Sequence, residues 1–101
     1  MSTRTVTAGE RTFELVAEPP RTSLTDEAHT LWGFNVQVHE GGEVVAVKTC
    51  FVGRVSVQAR HPEALGGTAE DIAAVVHAMA FDKIEESLAG GGEVDDALVF
   101  A

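Results

Sequence analysis

The stretch Trp32 to Phe51, WGFNVQVHEGGEVVAVKTCF, limits the fold of this chain more than any other segment. Trp32, Phe34, Val36 and Val38 alternate with Gly33, Asn35, Gln37 and His39, the two-residue period of a strand with one buried face. Gly41-Gly42 supplies a two-residue hairpin turn. With those glycines as the loop, Glu40 faces Glu43, Val38 faces Val45, Val36 faces Val47, Phe34 faces Thr49 and Trp32 faces Phe51. Each large apolar residue of the first strand then meets an apolar residue or a threonine. In this register Cys50 lies across from Gly33, on the face opposite Trp32.

Such a sheet needs a cover, and GGTAEDIAAVVHAMAFDKIEESLAGGG provides one. Thr68 with Asp71 has the spacing of a capping box. Ile72, Val76, Met79 or Ala80, Ile84 and Leu88 recur at helical spacing, and Gly90 to Gly92 stop the pattern. A helix from about Ala69 to about Ala89 is expected. Elsewhere, TVTAGERTFELVA reads as a hairpin around Gly9 and Glu10 with Val6 opposite Phe13, ended by Pro19-Pro20. RTSLTDEAHTLWG offers a short capped turn starting at Ser23 or Thr25. Past Gly53, where a bulge or bend is expected, Val55, Val57 and Ala59 alternate with Arg54, Ser56 and Gln58. A strand running on to about Arg60, or a new short strand, is expected there, with His61-Pro62 as its stop. Residues 90–101 read as a flexible or partner-docking tail, whose Leu98, Val99 and Phe100 could also add an edge strand.

These elements predict one α+β domain over residues 1–101: a small two-layer sandwich in which an antiparallel sheet of three to five strands packs on one long C-terminal helix. The length of 101 residues supports one modest core and no second. A single cysteine excludes an internal disulfide. No signal-peptide pattern opens the chain and no apolar run is long enough for a membrane span, so a soluble cytoplasmic protein is expected.

The net charge of -9 is concentrated in the C-terminal third, where nine acidic residues from Glu63 onward face one basic residue, Lys83. This field opposes nucleic-acid binding. On the helix, Asp82, Glu85 and Glu86 fall within about one turn and form a patch suited to a basic protein partner.

Chemistry is sparsely signalled. Cys50 has Lys48 two residues away, which would favour a thiolate, but there is no Cys-x-x-Cys. His29, His39, His61 and His77 lack metal-ligand spacing, so no metal is expected, and the glycine pairs match no phosphate loop, so no cofactor is expected. The expected register leaves a mixed face of Gly33, Asn35, Gln37, Ala46, Lys48, Cys50 and Val52, suited to a dimer interface or a small-molecule groove. The favoured reading is a homodimeric binding or accessory protein without catalytic activity. The rival is a small enzyme using Cys50 with Lys48 and Asn35, or Asp26 with His29.

Overall fold

The computed structural model describes residues 2–23, 30–92 and 94–101. Its first hairpin joins β1 (Ser2–Ala8) to β2 (Arg11–Ala17). Val6 pairs with Phe13 and Ala8 with Arg11, as the turn at Gly9-Glu10 predicts, and Gly9 takes a φ of 65° that glycine adopts without strain. Val6, Phe13, Leu15 and Ala17 are buried.

Pro19-Pro20 divides what would otherwise be one long edge. β2 pairs with the upper half of β4 (Leu31–Glu40), Leu15 opposite Val38, while β3 (Arg21–Ser23) pairs with the lower half, Thr22 opposite Trp32. Both lie on the same side of β4, interrupted where two residues lack ladder donors. Ser23 belongs to β3; the capped turn expected beyond it, including Leu24, Thr25, Asp26, Glu27 and His29, lies outside the described residues.

β4 and β5 (Glu43–Gly53) form the central hairpin. Gly41 and Gly42 both have positive φ, and Glu40 pairs with Glu43 as expected. The register then departs from the expectation. A bulge between Val38 and His39 sets Val44 opposite His39 but Ala46 opposite Val38, leaving Val45 as the extra residue. Every pairing below it moves by one: Val36 meets Lys48, Phe34 meets Cys50, Trp32 meets Val52 and Gly33 meets Phe51. Such a slip reverses the faces of the strand, and Ala46, Lys48, Cys50 and Val52 are buried with Trp32, Phe34, Val36 and Val38. The physical reason is volume. The large side chains of β4 already fill the space beneath the helix, and Ala46 and Cys50 complete that layer where valines and a phenylalanine would overfill it.

The chain after Gly53 is helical, which corrects the expected strand. α1 (Arg54–Arg60) begins with Gly53 as its N-cap and buries Val57, and Arg54 N–H donates to the Thr30 carbonyl at 2.9 Å. A 3-10 turn, Pro62–Gly66, follows. α2 spans Ala69–Ala89, as expected, and its capping box is complete: Thr68 Oγ1 accepts from Asp71 N at 3.2 Å and Asp71 Oδ2 accepts from Thr68 N at 2.9 Å. Val76, Met79, Ala80, Ile84 and Leu88 are buried against the sheet, joined by His77 and Phe81.

The tail closes the sheet. β6 (Leu98–Phe100) lies parallel to β5, with Thr49 opposite Leu98, Cys50 opposite Val99 and Phe51 opposite Phe100. Two aspartates dock it. Asp96 Oδ1 accepts the Val47 N–H at 2.8 Å, and Asp95 Oδ1 lies 3.0 Å from Lys48 Nζ. Among the described residues the fold is therefore α+β with six strands and two α-helices in a mixed sheet, ordered β1-β2-β4-β5-β6 with β3 also on β4. This corrects the expectation of three to five purely antiparallel strands on a single helix. Among the described residues α2 covers one face, and the other, the bare face, exposes Leu31, Val44, Val45, Leu98 and Phe100.

Candidate functional site

Cys50 is wholly buried, with its Sγ 3.8 Å from the Lys48 carbonyl oxygen. Burial pushes its pKa up to about 12, and the Lys48 charge offsets only part of that shift. A thiol held protonated and away from solvent is a poor nucleophile. Its expected neighbours are also separated: Asn35, Gly33 and Gln37 stand on the bare face, whereas Cys50, Lys48, Ala46 and Val52 stand beneath the helix. The grouping expected on one face is thus divided by the bulge. Asn35 and Cys50 cannot act together on one substrate through opposite sides of a sheet.

Lys48 shows how a charged residue tolerates the core side. Its stem runs beneath α2 and its ammonium emerges at the β5–β6 edge to meet Asp95. The residue is 6% exposed, so the Asp95 carboxylate is what makes its burial affordable.

His77 carries a second buried polar arrangement, one that the helical periodicity does not reveal. Its Nδ1 lies 2.7 Å from Ser2 Oγ and its Nε2 lies 2.8 Å from the Glu18 carbonyl oxygen. A carbonyl can only accept, so Nε2 carries the proton and Nδ1 accepts from the Ser2 hydroxyl. Burial lowers the His77 pKa, partly countered by the bond to Glu18, and the neutral ring packs edge-on against Phe34 at 4.8 Å. Both ring nitrogens are used, so His77 fastens α2 to β1 and to the end of β2. His39 bonds Gln37 across 3.0 Å on the bare face, and His61 lies 3.7 Å from Glu63 at the surface. Among the described residues no group of three or more His, Cys, Asp or Glu side chains is placed to hold a metal ion. The Asp26/His29 couple lies outside the described residues.

The acidic group on α2 is partly neutralised by the chain itself. Arg4 Nη1 sits 2.7 Å from Asp82 Oδ1 and 3.6 Å from Glu85 Oε1, and its guanidinium lies 5.3 Å from the Phe81 ring centre. Asp82 and Glu85 remain well exposed at their outer sides, and Glu86 is exposed on the next position of the helix.

The bare face is the most distinctive surface. It brings together Leu31 from β4, Val44, Val45, Val47, Thr49 and Phe51 from β5, and Leu98 and Phe100 from β6. Leu98 is 63% and Phe100 67% exposed, far above ordinary burial for such side chains. The Phe51 and Phe100 rings stack with centres 5.6 Å apart. Beside them lies a depression of about 330 Å³, walled by Pro19, Arg21, Thr22, Leu31, Asn35, Thr49 and Phe51, with the Phe51 ring in contact with the space over Gly33. Thr49 Oγ1 donates to Asn35 Oδ1 at 3.2 Å on its floor. Toward β1 and β2 the face turns polar, with Thr3, Thr5, Thr7, Thr12 and Glu14 pointing outward.

Sequence reasoning missed Phe51 and Phe100 as surface residues. The unbroken apolar run Val44-Val45-Ala46-Val47 fits either face, and only the bulge decides between them. The large exposed side chains of the tail were the one available signal. No helix among the described residues is long and apolar enough to cross a membrane. No family model matches the chain, and no curated protein and no solved structure matches it either.

Proposed function

We propose that this chain is a non-catalytic binding or accessory protein that works as a homodimer in the cytoplasm, joining a second copy through its bare sheet face and a basic protein partner through α2. One observation carries the reading: α2 covers one side of the sheet, while Leu31, Val44, Val45, Leu98 and Phe100 are all exposed on the other. A contiguous apolar area rimmed by threonine, asparagine and glutamine has the make-up of an association surface. Burial of Cys50 removes the best candidate nucleophile and so weighs against the enzyme reading.

The two surfaces lie on opposite sides of the molecule, so both can be occupied at once. Asp82, Glu85 and Glu86 keep negative charge outward despite Arg4, and such charge acts mainly on encounter rate and partner choice. The test combines solution mass with capture of basic proteins from the source lysate, using Asp82→Lys, Glu85→Lys and Glu86→Lys together. The reading expects a dimer unaffected by these changes and loss of the captured basic protein. A monomer that captures nothing, with or without the changes, contradicts it.

A further inference from the structure

β1 ends the strand order, and among the described residues nothing pairs with its outer side. Its turn leaves only Gly9 and Glu10 between Ala8 and Arg11, so that flanking pair exchanges hydrogen bonds. Bonded and unbonded pairs alternate along an antiparallel ladder. Ala8, Val6, Arg4 and Ser2 therefore direct their N–H and C=O groups to β2, whereas those of Thr3, Thr5 and Thr7 point outward. Natural sheets blunt such an edge with proline, lysine or a bulge. STRTVTA has none of these over its seven residues, and its one charge, Arg4, is held toward α2 by Asp82.

α2 runs alongside this edge in the same sense as β1. Ser2 meets His77, and Arg4 meets Phe81 and Asp82. Two residues of strand advance about 7 Å while the five helix residues from His77 to Asp82 advance about 7.5 Å. The next two strand residues reach Val6, and the next four of helix, about 6 Å on, reach Glu86. Carboxylates thus stand level with Arg4 and with Val6. The side chains of Asp82 and Glu85 are 68% and 45% exposed, and nothing described covers them.

We propose that β1 takes up a basic segment of a protein partner as an added strand, with lysine or arginine at alternate positions facing the acidic flank of α2. This rests on the basic-partner reading above and names the shape of the segment that binds. The outward N–H and C=O groups of Thr3, Thr5 and Thr7 supply the main-chain bonds of strand addition. Residues of the added strand opposite Arg4 and Val6 share their side of the sheet, so two cations two residues apart meet Asp82, Glu85 and Glu86. The residues between them lie beside Thr3, Thr5 and Thr7 and suit threonine or valine. A second copy fits this edge poorly. Antiparallel self-pairing about Thr5 would bring the two acidic flanks together, six carboxylates against two Arg4 side chains.

The probe is the blocked peptide acetyl-Thr-Lys-Thr-Lys-Thr-Lys-Thr-amide, titrated by calorimetry into the wild type, Thr5→Pro and the triple variant Asp82→Lys, Glu85→Lys, Glu86→Lys. Proline at position 5 removes an outward donor and no bond to β2, a placement that edge strands tolerate. Each variant is expected to weaken binding about tenfold or more, equivalent to about 1.4 kcal/mol. In the wild type the amides of Thr3, Thr5 and Thr7 should exchange with solvent more slowly once the peptide is bound. Urea midpoints confirm folding; if Thr5→Pro does not fold, amide exchange in the wild type decides alone. Binding that the triple variant loses but Thr5→Pro keeps, with the three amides unprotected, overturns strand addition and leaves the basic-partner reading standing. A wild type that binds no peptide overturns the edge site, and the partner reading falls with it only if the lysate also yields no basic protein. A dimer that Thr5→Pro alone dissociates would place a second copy on β1 and overturn the proposal.

Discussion

Phe34 pairs with Cys50 across the central hairpin, which puts the thiol under the helix and Phe51, its neighbour in sequence, on the bare face. That single relationship separates a redox or nucleophilic reading of the chain from an associative one. An aromatic side chain occupies the surface where a cysteine was expected.

Cys50 should be inert in the native state. With its pKa raised to about 12 by burial, reaction with an aromatic disulfide reagent at neutral pH should proceed only as fast as the protein opens, and should become rapid in denaturant. Rapid stoichiometric labelling of folded protein would contradict this placement. Cys50→Ser should fold but lose about 1–3 kcal/mol of stability, because a hydroxyl replaces a thiol in an apolar site.

The Lys48–Asp95 pair should behave asymmetrically. Asp95→Ala leaves an ammonium on a side chain only 8% exposed and should cost about 1–2 kcal/mol, a value discounted because Asp95 itself is largely solvated. Lys48→Met should cost less, and adding Asp95→Ala to it should cost little more. Urea melts of the four proteins measure the coupling; additive effects would show that the pair is not energetically linked.

His77 predicts the pH dependence of stability. Its folded-state pKa lies below the ordinary histidine value of 6.5, so the unfolded chain takes up a proton first as the pH falls. Stability is complete above about 6.5 and declines as the pH drops below that toward the folded pKa. The urea midpoint should therefore fall between pH 7.5 and 5.5, and His77→Gln should flatten that fall. An equally steep decline in the variant would assign the effect to other groups.

At the start of α2, Thr68→Ala removes the oxygen that accepts the Asp71 N–H and should destabilise the protein by about 1 kcal/mol. Thr68→Asn should retain most of the stability, as an N-cap role requires; loss of stability in both variants alike would point to a packing role for the threonine instead.

Much of this architecture is legible in the sequence where local chemistry punctuates it. Thr68 and Asp71 open α2 and Gly90 closes it, and Gly41-Gly42 and Gly9-Glu10 mark the two hairpins. The bulge is not legible, because Val44 to Val47 carries no polar residue to show which side faces water. Lys48 misleads further: a charged residue ordinarily faces solvent, and here its ammonium reaches the sheet edge only because Asp95 returns from a distant part of the chain. Arg54 to Arg60 misleads in the opposite sense, since Val55, Val57 and Ala59 alternate like a strand but α1 buries only Val57. Tertiary placement on the Thr30 carbonyl decides that segment. The candidate surface was half legible: Gly33, Asn35 and Gln37 lie on it, while their partners came from the other parity of β5.

The most direct test of the account is the mass of the intact, unmodified chain in solution at neutral pH, followed by sedimentation over a wide dilution range. The account predicts twice the mass of one chain, falling toward a single chain on dilution, with Phe100→Ala shifting that transition to higher concentration. A single-chain mass at every concentration would contradict it.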